Sequence, residues 1–178
     1  MVSCFCSTYD HPLLWTHYAD QHKGVCFEIG GSYLYEIARG CKKTLNKNAI
    51  NQLTEFNSVK YRSSPPDESH FDEITLKRSI FIKSLFFSYE QEKRLVIGDS
   101  CEQIERKDSI YYIPFNYSKS LISVTFGIRT ILEEILKFKA LLDKHEMENV
   151  KLYKMHLIHG TYTLSRVALD LYKEIGIY

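Results

Sequence analysis

Two glutamates separated by one residue, with an arginine close behind them, are the side chains in this sequence best suited to acid–base chemistry. They are Glu90, Glu92 and Arg94, in the stretch KSLFFSYEQEKR that covers residues 83–94. If a strand is already formed at Glu90, the three share one face, because side chains alternate along a strand. Two carboxylates there can act as a general base and an orienting partner, since Arg94 lowers one carboxyl pKa and crowding raises the other. The alternative is an exposed ladder of salt bridges, which contributes little stability.

A histidine followed by a tyrosine, at positions 17 and 18, is the second candidate. An imidazole titrates near neutral pH, and beside a phenol it can orient a sugar hydroxyl or move a proton. The alternative for the histidine is a buried, hydrogen-bonded side chain. The candidate catalytic residues are Glu92, Glu90 and His17, and the candidate substrate-binding residues are Tyr18, Arg94 and Tyr89.

The sequence predicts no metal site. His11, His17 and His22 lack the spacing of four residues that brings two imidazoles to one ion on a helix. The cysteine pair Cys4-x-Cys6 has no second pair to complete a tetrahedral site. The patterns of phosphate-binding loops and of serine-hydrolase elbows are also absent. The sequence therefore leaves the carboxylates and the histidine as the candidates for chemistry.

These side chains must be positioned by elements that the sequence pattern predicts. The predicted architecture is α+β, in which one mixed and mainly antiparallel sheet carries about three packed helices, near residues 11–21, 71–86 and 129–144. One or two short surface helices are expected between residues 30 and 56. The predicted strands are residues 2–6, 25–29, 58–62, 109–115, 121–126, 150–157 and 162–169. No linker or repeat interrupts the chain, so a single domain over residues 1–178 is expected.

The first helix shows how the aromatic residues are expected to be distributed. One face is predicted to consist of residues that recur at helical spacing, namely Trp15, Tyr18, Ala19 and His22. At about 100° per residue, His17 lies about 200° from Trp15, so the two rings cannot point into the same core. Trp15 is therefore predicted to be the core residue, and His17 is predicted to face a cleft or to pack beside the leucines that precede the tryptophan.

Composition excludes several classes of protein. The chain has 23 lysines and arginines against 22 aspartates and glutamates, so there is no strong signal for nucleic-acid binding. No apolar run is long enough to span a membrane, and no membrane partner is expected. The five cysteines are interpreted as reduced thiols, which predicts a cytoplasmic protein. The small-molecule or protein partner is not identified by composition.

Two stretches carry a resemblance to a known family. The first is WTHYADQHKGVC, at residues 15–26, and the second is residues 83–97, which resembles Lys-x3-Trp-x-Tyr-Glu-x-Glu-x-Arg with Phe87 in place of tryptophan. Val59-Lys60-Tyr61 matches a further Val-x-Tyr element, and residues 124–127 and 150–153 resemble the C-terminal third. Together they resemble domain of unknown function 2971, a mostly bacterial family. The resemblance implies that this chain corresponds to the last two-thirds of such a domain, with an N-terminal segment missing before Met1.

The order of the elements also resembles the ADP-ribosyltransferase type of NAD-binding fold. The shared features are a strand with a Ser-type end, a helix rich in Trp, His and Tyr, and a late Glu-x-Glu at the start of a strand. The resemblance implies NAD as the ligand, Glu92 as the catalytic acid, Glu90 as its acceptor-side partner, and Tyr18 or His17 in contact with NAD. The upstream His or Arg of such enzymes would precede Met1.

Two other functions compete with the transferase. One is a non-enzymatic interaction or regulatory module, in which both stretches serve packing and the aromatic surface binds a partner. The other is an inactive remnant of phage or mobile-element origin. If the candidate side chains converge on a shared cleft, the enzyme is favoured. If they are scattered, or if their hydrogen bonds are all made to one another, the interaction module is favoured.

Overall fold

The structure is a computed structural model that describes residues 1–42, 54–65, 79–98, 101, 103–108, 110–113 and 115–170. Its strands are β1 (Val2–Cys6), β2 (Val25–Ile29), β3 (Glu55–Ser58), β4 (Lys60–Arg62), β5 (Ile82–Ser84), β6 (Glu92–Val96), β7 (Glu105–Lys107), β8 (Ile110–Tyr112), β9 (Leu121–Phe126), β10 (Lys151–Leu157) and β11 (Leu164–Ala168). Its α-helices are α1 (Pro12–Tyr18), α2 (Gly31–Lys42), α3 (Tyr117–Ser120) and α4 (Leu132–Lys144), and Leu85–Glu90 form a 3-10 helix.

The chain divides into two compact units. Unit 1 consists of Met1–Thr8 and Gly31–Asn116, and unit 2 consists of Tyr9–Gly30 and Tyr117–Tyr178. The α+β class and the mainly antiparallel pairing are confirmed, with the strands of the described residues distributed over four sheets. This division into compact units does not test whether the chain folds as one domain. The single domain over residues 1–178 therefore stays a prediction.

Unit 1 is built around a three-stranded antiparallel sheet with the order β1-β6-β3. The central strand β6 pairs with both neighbours, and Cys6 of β1 lies opposite Glu92, the first residue of β6. Because side chains alternate, one face carries Phe56 and Leu95, which are buried and lie on the side of α2, where Tyr35 packs its ring on Phe56. The opposite face carries Glu92 and its neighbours.

Helix α2 lies between residues 30 and 56, where one or two short helices are expected. It runs continuously from Gly31 to Lys42 and contains Gly40. Cys41 forms a disulfide with Cys101, which corrects the prediction that all five thiols are reduced. The two cysteines lie 60 residues apart in sequence, and packing of the buried α2 brings them together. Spacing along the chain carries no signal for such a non-local pair.

The helix predicted over residues 71–86 is wrong in its last part. Residues 82–84 form β5, which pairs in parallel with β4, and a 3-10 helix follows from Leu85. The apolar residues 81, 82 and 85 satisfy helical spacing, but residues 81–84 run beside β4 and form backbone hydrogen bonds with it, as between Lys60 N–H and the Phe81 carbonyl. The start of this predicted helix, residues 71–78, lies outside the described residues.

Unit 2 is a four-stranded sheet with helices on both faces. The order is β11-β10-β9-β2, in which β9 and β10 are parallel and joined through α4, while the other two pairs are antiparallel. On one face, α4 packs Ile135 and Leu142 against Val124 and Phe126, all of them buried. This confirms the predicted strands at residues 121–126, 150–157 and 162–169 to within two residues at each end.

The other face of this sheet is covered by α1. Trp15 is 3% exposed and packs with Ala19, Met155 and Leu164, so its predicted core role is confirmed. Its indole N–H donates to the carbonyl of Tyr9 at 2.6 Å. The helix ends at Tyr18 instead of residue 21, because residues 20–22 adopt left-handed backbone conformations that a helix cannot continue through.

Gly127 marks a close approach of two backbone segments in unit 2. A Cβ at this position would lie 2.0 Å from the His22 carbonyl oxygen, which also accepts the N–H of Arg129. We expect Gly127→Ala to lower the free energy of unfolding by about 1–3 kcal/mol, because backbone must move to admit the methyl group. Chemical denaturation measures the loss. Gly31→Ala is the control, since its Cβ has no atom within 4 Å; equal losses in both variants would contradict the prediction.

In the part of the chain that the structure describes, no helix combines the length and the apolar composition that a membrane crossing requires.

Candidate functional site

Glu92 is held at the start of the central strand of unit 1 by contacts to its own backbone. Its N–H donates to the hydroxyl of Tyr61 at 2.7 Å, and its carbonyl accepts the N–H of Val59 at 2.9 Å. On the other side, Ser7 at the end of β1 donates its N–H to the carbonyl of Gln91 at 3.1 Å. Gln91 adopts a left-handed conformation and turns the chain from the 3-10 helix into β6. The ends of β1 and β3 therefore lie beside the start of β6, at the end of the sheet that carries the two glutamates.

Arg94 and Glu92 form a two-pronged ion pair. The Nε of Arg94 donates to Oε1 of Glu92 at 2.7 Å, and its Nη2 donates to Oε2 at 3.1 Å. A third nitrogen of the same guanidinium, Nη1, donates to the carbonyl of Ile80. This planar fork matches the carboxylate and fixes its orientation. The side chain of Glu92 is only 4% exposed, so the pair lies in the interior of unit 1.

Lys83, on β5, joins the two glutamates. Its Nζ donates to Oε2 of Glu90 and, at 3.1 Å, to Oε2 of Glu92. The same ammonium lies 4.9 Å from the centre of the Phe87 ring, a cation–π distance. Two buried carboxylates thus face two cations, so the cluster carries no net charge. We call Lys83, Glu90, Glu92 and Arg94 the carboxylate cluster.

The cluster keeps Glu92 ionised. Burial acts to raise the pKa of this carboxyl, but the hydrogen bonds from Arg94, Cys4 and Lys83 outweigh it and lower the pKa to about 2. Hydrogen bonding to Glu92 raises the pKa of Arg94. For Lys83, burial acts to lower the pKa, and the hydrogen bonds to the two glutamates raise it well above its ordinary value. The ion pairs therefore persist over the whole neutral range.

Two further groups contact the cluster in protonated form. Partial burial of the sulfur raises the pKa of Cys4, and the neighbouring Glu92 raises it further, although Cys4 as a residue is exposed. Its thiol can therefore donate to Glu92 at neutral pH. Burial likewise raises the pKa of Tyr61, with the charges of Glu92 and Glu90 acting in the same direction. Both groups stay neutral, which leaves the ionic balance of the cluster unchanged.

The structure brings together three of the residues predicted from the sequence. Glu90, Glu92 and Arg94 do converge, but Glu90 belongs to the 3-10 helix, so they do not form one strand face. The predicted alternative, an exposed ladder, is wrong, because the side chains of Glu90 and Glu92 are 3% and 4% exposed. Tyr89 is half-buried in the same 3-10 helix. The roles of all these residues stay predictions.

His17 and Tyr18 belong to unit 2. Both are exposed at the end of α1, and their rings meet edge to face with centroids 6.4 Å apart. The prediction that Tyr18 shares the buried face of Trp15 is wrong, since it is 67% exposed. The helix is only seven residues long and ends at Tyr18, so the ring of Tyr18 lies at an exposed helix end. The exposure of His17 also removes the alternative of a buried histidine.

Sequence reasoning assigned no role to Lys83, Tyr61 or Cys4. The signal was present for two of them, because Lys83 and Tyr61 both fall at positions of the quoted motifs. Phe87, which stands where tryptophan is usual, is 42% exposed and serves as the aromatic neighbour of Lys83. These contacts join β1, β4, β5 and β6, and only the sheet pairing reveals them.

A second polar cluster, in unit 2, was not predicted. Arg166 donates from Nη1 to Oε2 of Glu28 at 2.9 Å, and the hydroxyl of Ser123 donates to the same oxygen at 2.6 Å. The hydrogen bond from Ser123 is the main cause of a lowered Glu28 pKa. The guanidinium carbon of Arg166 lies 4.2 Å and 4.4 Å from the ring centres of Tyr9 and Tyr153. The sequence pattern offers no signal for this cluster, because its members come from five separate segments.

No three or more His, Cys, Asp or Glu side chains within the described ranges are grouped so that they could hold a metal ion.

Comparison with known protein families found a match that includes all four residues of the carboxylate cluster. Residues 14–95 match DUF2971, a family described as a protein of unknown function. This confirms the resemblance to domain of unknown function 2971. The match includes both the stretch around Trp15 and the one around Glu92, and ends before the C-terminal third, whose resemblance stays a prediction. Neither the comparison with curated proteins nor the comparison with solved structures found a match.

Within this DUF2971 segment, both oxygens of Glu92 are engaged as acceptors. Each carboxylate oxygen offers about two lone-pair positions. On Oε2 both are taken, by Nη2 of Arg94 and Nζ of Lys83, and Oε1 accepts from Nε of Arg94. Any new donor to Oε2 must therefore replace one of its two present donors. The arrangement provides a fixed negative charge at a sheet edge, suited to stabilise a positive charge or to orient a hydroxyl group once a donor is exchanged.

Proposed function

We propose that the protein is an NAD-using enzyme of the ADP-ribosyltransferase type, with Glu92 as the residue that orients the ribose. The observation that carries this proposal is the contact between the end of β1 and the start of β6 in unit 1. There the Ser end of β1 is hydrogen-bonded to Gln91, the residue between the two glutamates, and Glu92 begins the adjacent strand. The resemblance relates these same two features to an NAD site. A cytoplasmic location, where NAD is available, fits this function.

The charges of the cluster suit the reaction. Transfer of ADP-ribose breaks the bond between the nicotinamide nitrogen and C1′ of the ribose, and positive charge develops on the sugar as in other glycosyl transfers. Glu92, ionised and fixed by Arg94, stabilises this charge and accepts a hydrogen bond from a ribose hydroxyl. The electron pair leaves with nicotinamide. Glu90 takes the proton of the acceptor, whose oxygen or nitrogen forms the new bond to C1′.

Release of nicotinamide from NAD tests the proposal. We expect the wild-type protein to release it, and Glu92→Gln to reduce the rate by about a hundredfold or more, because hydrogen bonds to sugar hydroxyls that strengthen in the transition state contribute several kcal/mol. Glu90→Gln should impair transfer to an added acceptor more than hydrolysis. Glu105→Gln, an exposed glutamate on β7 of the same unit, is the matched control and should keep full activity.

Two results would overturn the transferase. One is a folded wild-type protein that releases no nicotinamide, and the other is release that Glu92→Gln leaves unchanged. If Glu92→Gln does not fold, Glu90→Gln decides between the roles, because a purely structural Glu90 would lower hydrolysis and transfer equally. Circular dichroism of each variant separates loss of fold from loss of chemistry.

A second candidate, the interaction module, is favoured by the surface beside the cluster. Leu85, Phe86 and Phe87 are consecutive, and their exposed fractions are 52%, 90% and 42%. Three large apolar side chains in one turn at the surface are typical of a contact site for a partner. The saturation of Glu92 by its neighbours also agrees with a structural role for the cluster. A wild-type protein that is inert toward NAD would make this candidate the better one.

A further inference from the structure

We propose that Lys83 is a positioning residue whose ammonium group occupies the acceptor position of Glu92 that a ribose hydroxyl takes when NAD binds. This inference rests on the proposed function, and it identifies which hydrogen-bond donor to Glu92 the ribose hydroxyl displaces. It follows from the two hydrogen bonds that Oε2 of Glu92 already accepts, from Lys83 and from Arg94, because a ribose hydroxyl that binds this oxygen must exchange with one of these donors.

Lys83 is the donor that is most easily exchanged. Its side chain is 23% exposed, compared with 17% for Arg94. It reaches Glu92 through a single N–H at 3.1 Å, and it keeps a second carboxylate partner, Glu90, after it leaves. A lysine side chain has a flexible stem of four carbons, so rotation about its bonds can move the ammonium toward Glu90 and the Phe87 ring without a change in the backbone.

Arg94 cannot exchange in the same way. Its guanidinium is held at three nitrogens, two on Glu92 and one on the Ile80 carbonyl. Movement of Arg94 would break its hydrogen bond to that carbonyl and one hydrogen bond to each carboxylate oxygen. Arg94 therefore fixes the orientation of Glu92 while Lys83 covers the position that faces the ligand.

The same contacts define what Lys83 does in the protein without ligand. The groups that face Glu92 are Arg94 of β6, Cys4 of β1, Tyr61 of β4, Lys83 of β5, and Glu90 of the 3-10 helix. Lys83 contacts both glutamates, and its ammonium is one of the two cations beside Glu92. Without it Glu92 keeps only the guanidinium of Arg94, and loss of a neighbouring positive charge raises a carboxyl pKa. Lys83 thus helps to keep Glu92 ionised in the protein without ligand, and it is released from Glu92 on binding.

The test is the kinetics of NAD cleavage by Lys83→Met. We expect KM for NAD to fall by about tenfold, since the ribose no longer competes with a charge-assisted hydrogen bond. We expect kcat not to rise, and the acidic limb of the kcat/KM profile to move up by about one pH unit or more. Lys83→Arg restores a cation and should return the acidic limb close to that of the wild type.

Lys93→Met is the matched control. Lys93 is the neighbour of Glu92 on β6, but it points to the other face, where its ammonium lies 6.0 Å from the centre of the Phe56 ring. This variant should keep the wild-type KM and pH profile. A lysine with only a structural role would lower the unfolding midpoint and kcat, without a lower KM and without a shift of the acidic limb.

The failures of the two proposals are distinguishable. A wild-type protein that cleaves NAD, together with a Lys83→Met variant that keeps the KM and the acidic limb of the wild type, overturns the exchange and leaves the transferase intact. A wild-type protein that neither binds nor cleaves NAD overturns both. Binding is measured by calorimetry with NAD, so the second outcome does not depend on turnover.

Discussion

Trp15→Ala should lower the free energy of unfolding by about 3–5 kcal/mol. Trp15 is 3% exposed, and it fills the space between α1 and the strands that carry Met155 and Leu164. Its truncation removes the largest side chain of that cluster and leaves a cavity that α1, with seven residues, is too short to close. Urea denaturation followed by far-UV circular dichroism gives the change in free energy.

Two control variants separate the parts of this effect. Trp15→Phe keeps a packed ring and loses the N–H that donates to the Tyr9 carbonyl, so we expect a smaller loss of about 1–2 kcal/mol. Tyr162→Ala removes an aromatic side chain that is 95% exposed and should change stability by less than about 0.5 kcal/mol. A Trp15→Ala variant that unfolds at the same midpoint as Tyr162→Ala would refute the core role.

Acidification should remove about 3 kcal/mol of stability through Glu92 alone. The pKa of this carboxyl is lowered from 4.5 to about 2 in the folded protein, so the folded state holds the ionised form more strongly than the unfolded chain does. Its contribution is fully present above pH 4.5 and is lost as the pH falls toward 2. Denaturation at a series of pH values between 7 and 2 measures the slope.

Glu92→Gln isolates this contribution. The variant cannot ionise at position 92, so its stability should already be reduced at pH 7 and should fall less steeply with acid than that of the wild type. Glu133→Gln is the comparison, since Glu133 is 69% exposed and pairs with Lys137 only at the surface of α4. That change should cost less than about 0.5 kcal/mol. Parallel acid curves for Glu92→Gln and the wild type would show that the buried ion pairs do not stabilise the fold.

Local pattern was sufficient for the parts of the fold that bury one face against a single neighbour. Val2–Cys6, Val25–Ile29 and Leu121–Phe126 have the bounds that their apolar runs predict. Helix α4 also lies within the predicted residues 129–144, with Ile135 and Leu142 buried, and it begins at Leu132. These elements could be predicted because burial of a periodic apolar face is a property of nearby residues.

Local pattern failed where distant segments compete for the same backbone. Residues 82–84 have helical spacing, yet they pair with β4. Helix α1 stops at Tyr18 because residues 20–22 turn back so that the N–H of Gly24 reaches the Ala19 carbonyl and Gly127 can approach His22. The disulfide between Cys41 and Cys101 likewise joins segments 60 residues apart. In each case the deciding partner lies outside any window of sequence.

The candidate site divides in the same way. Residue types and spacing were enough to select Glu90, Glu92 and Arg94 as candidate residues, because two carboxylates and a guanidinium within five positions are close enough along the chain to interact. Their burial, the ionised state of Glu92 and the bridging role of Lys83 follow from strand pairing, which brings β5 beside β4 and β1 beside β6. A pKa depends on burial and on the charges within a few ångströms, and those neighbours are assembled from the whole of unit 1.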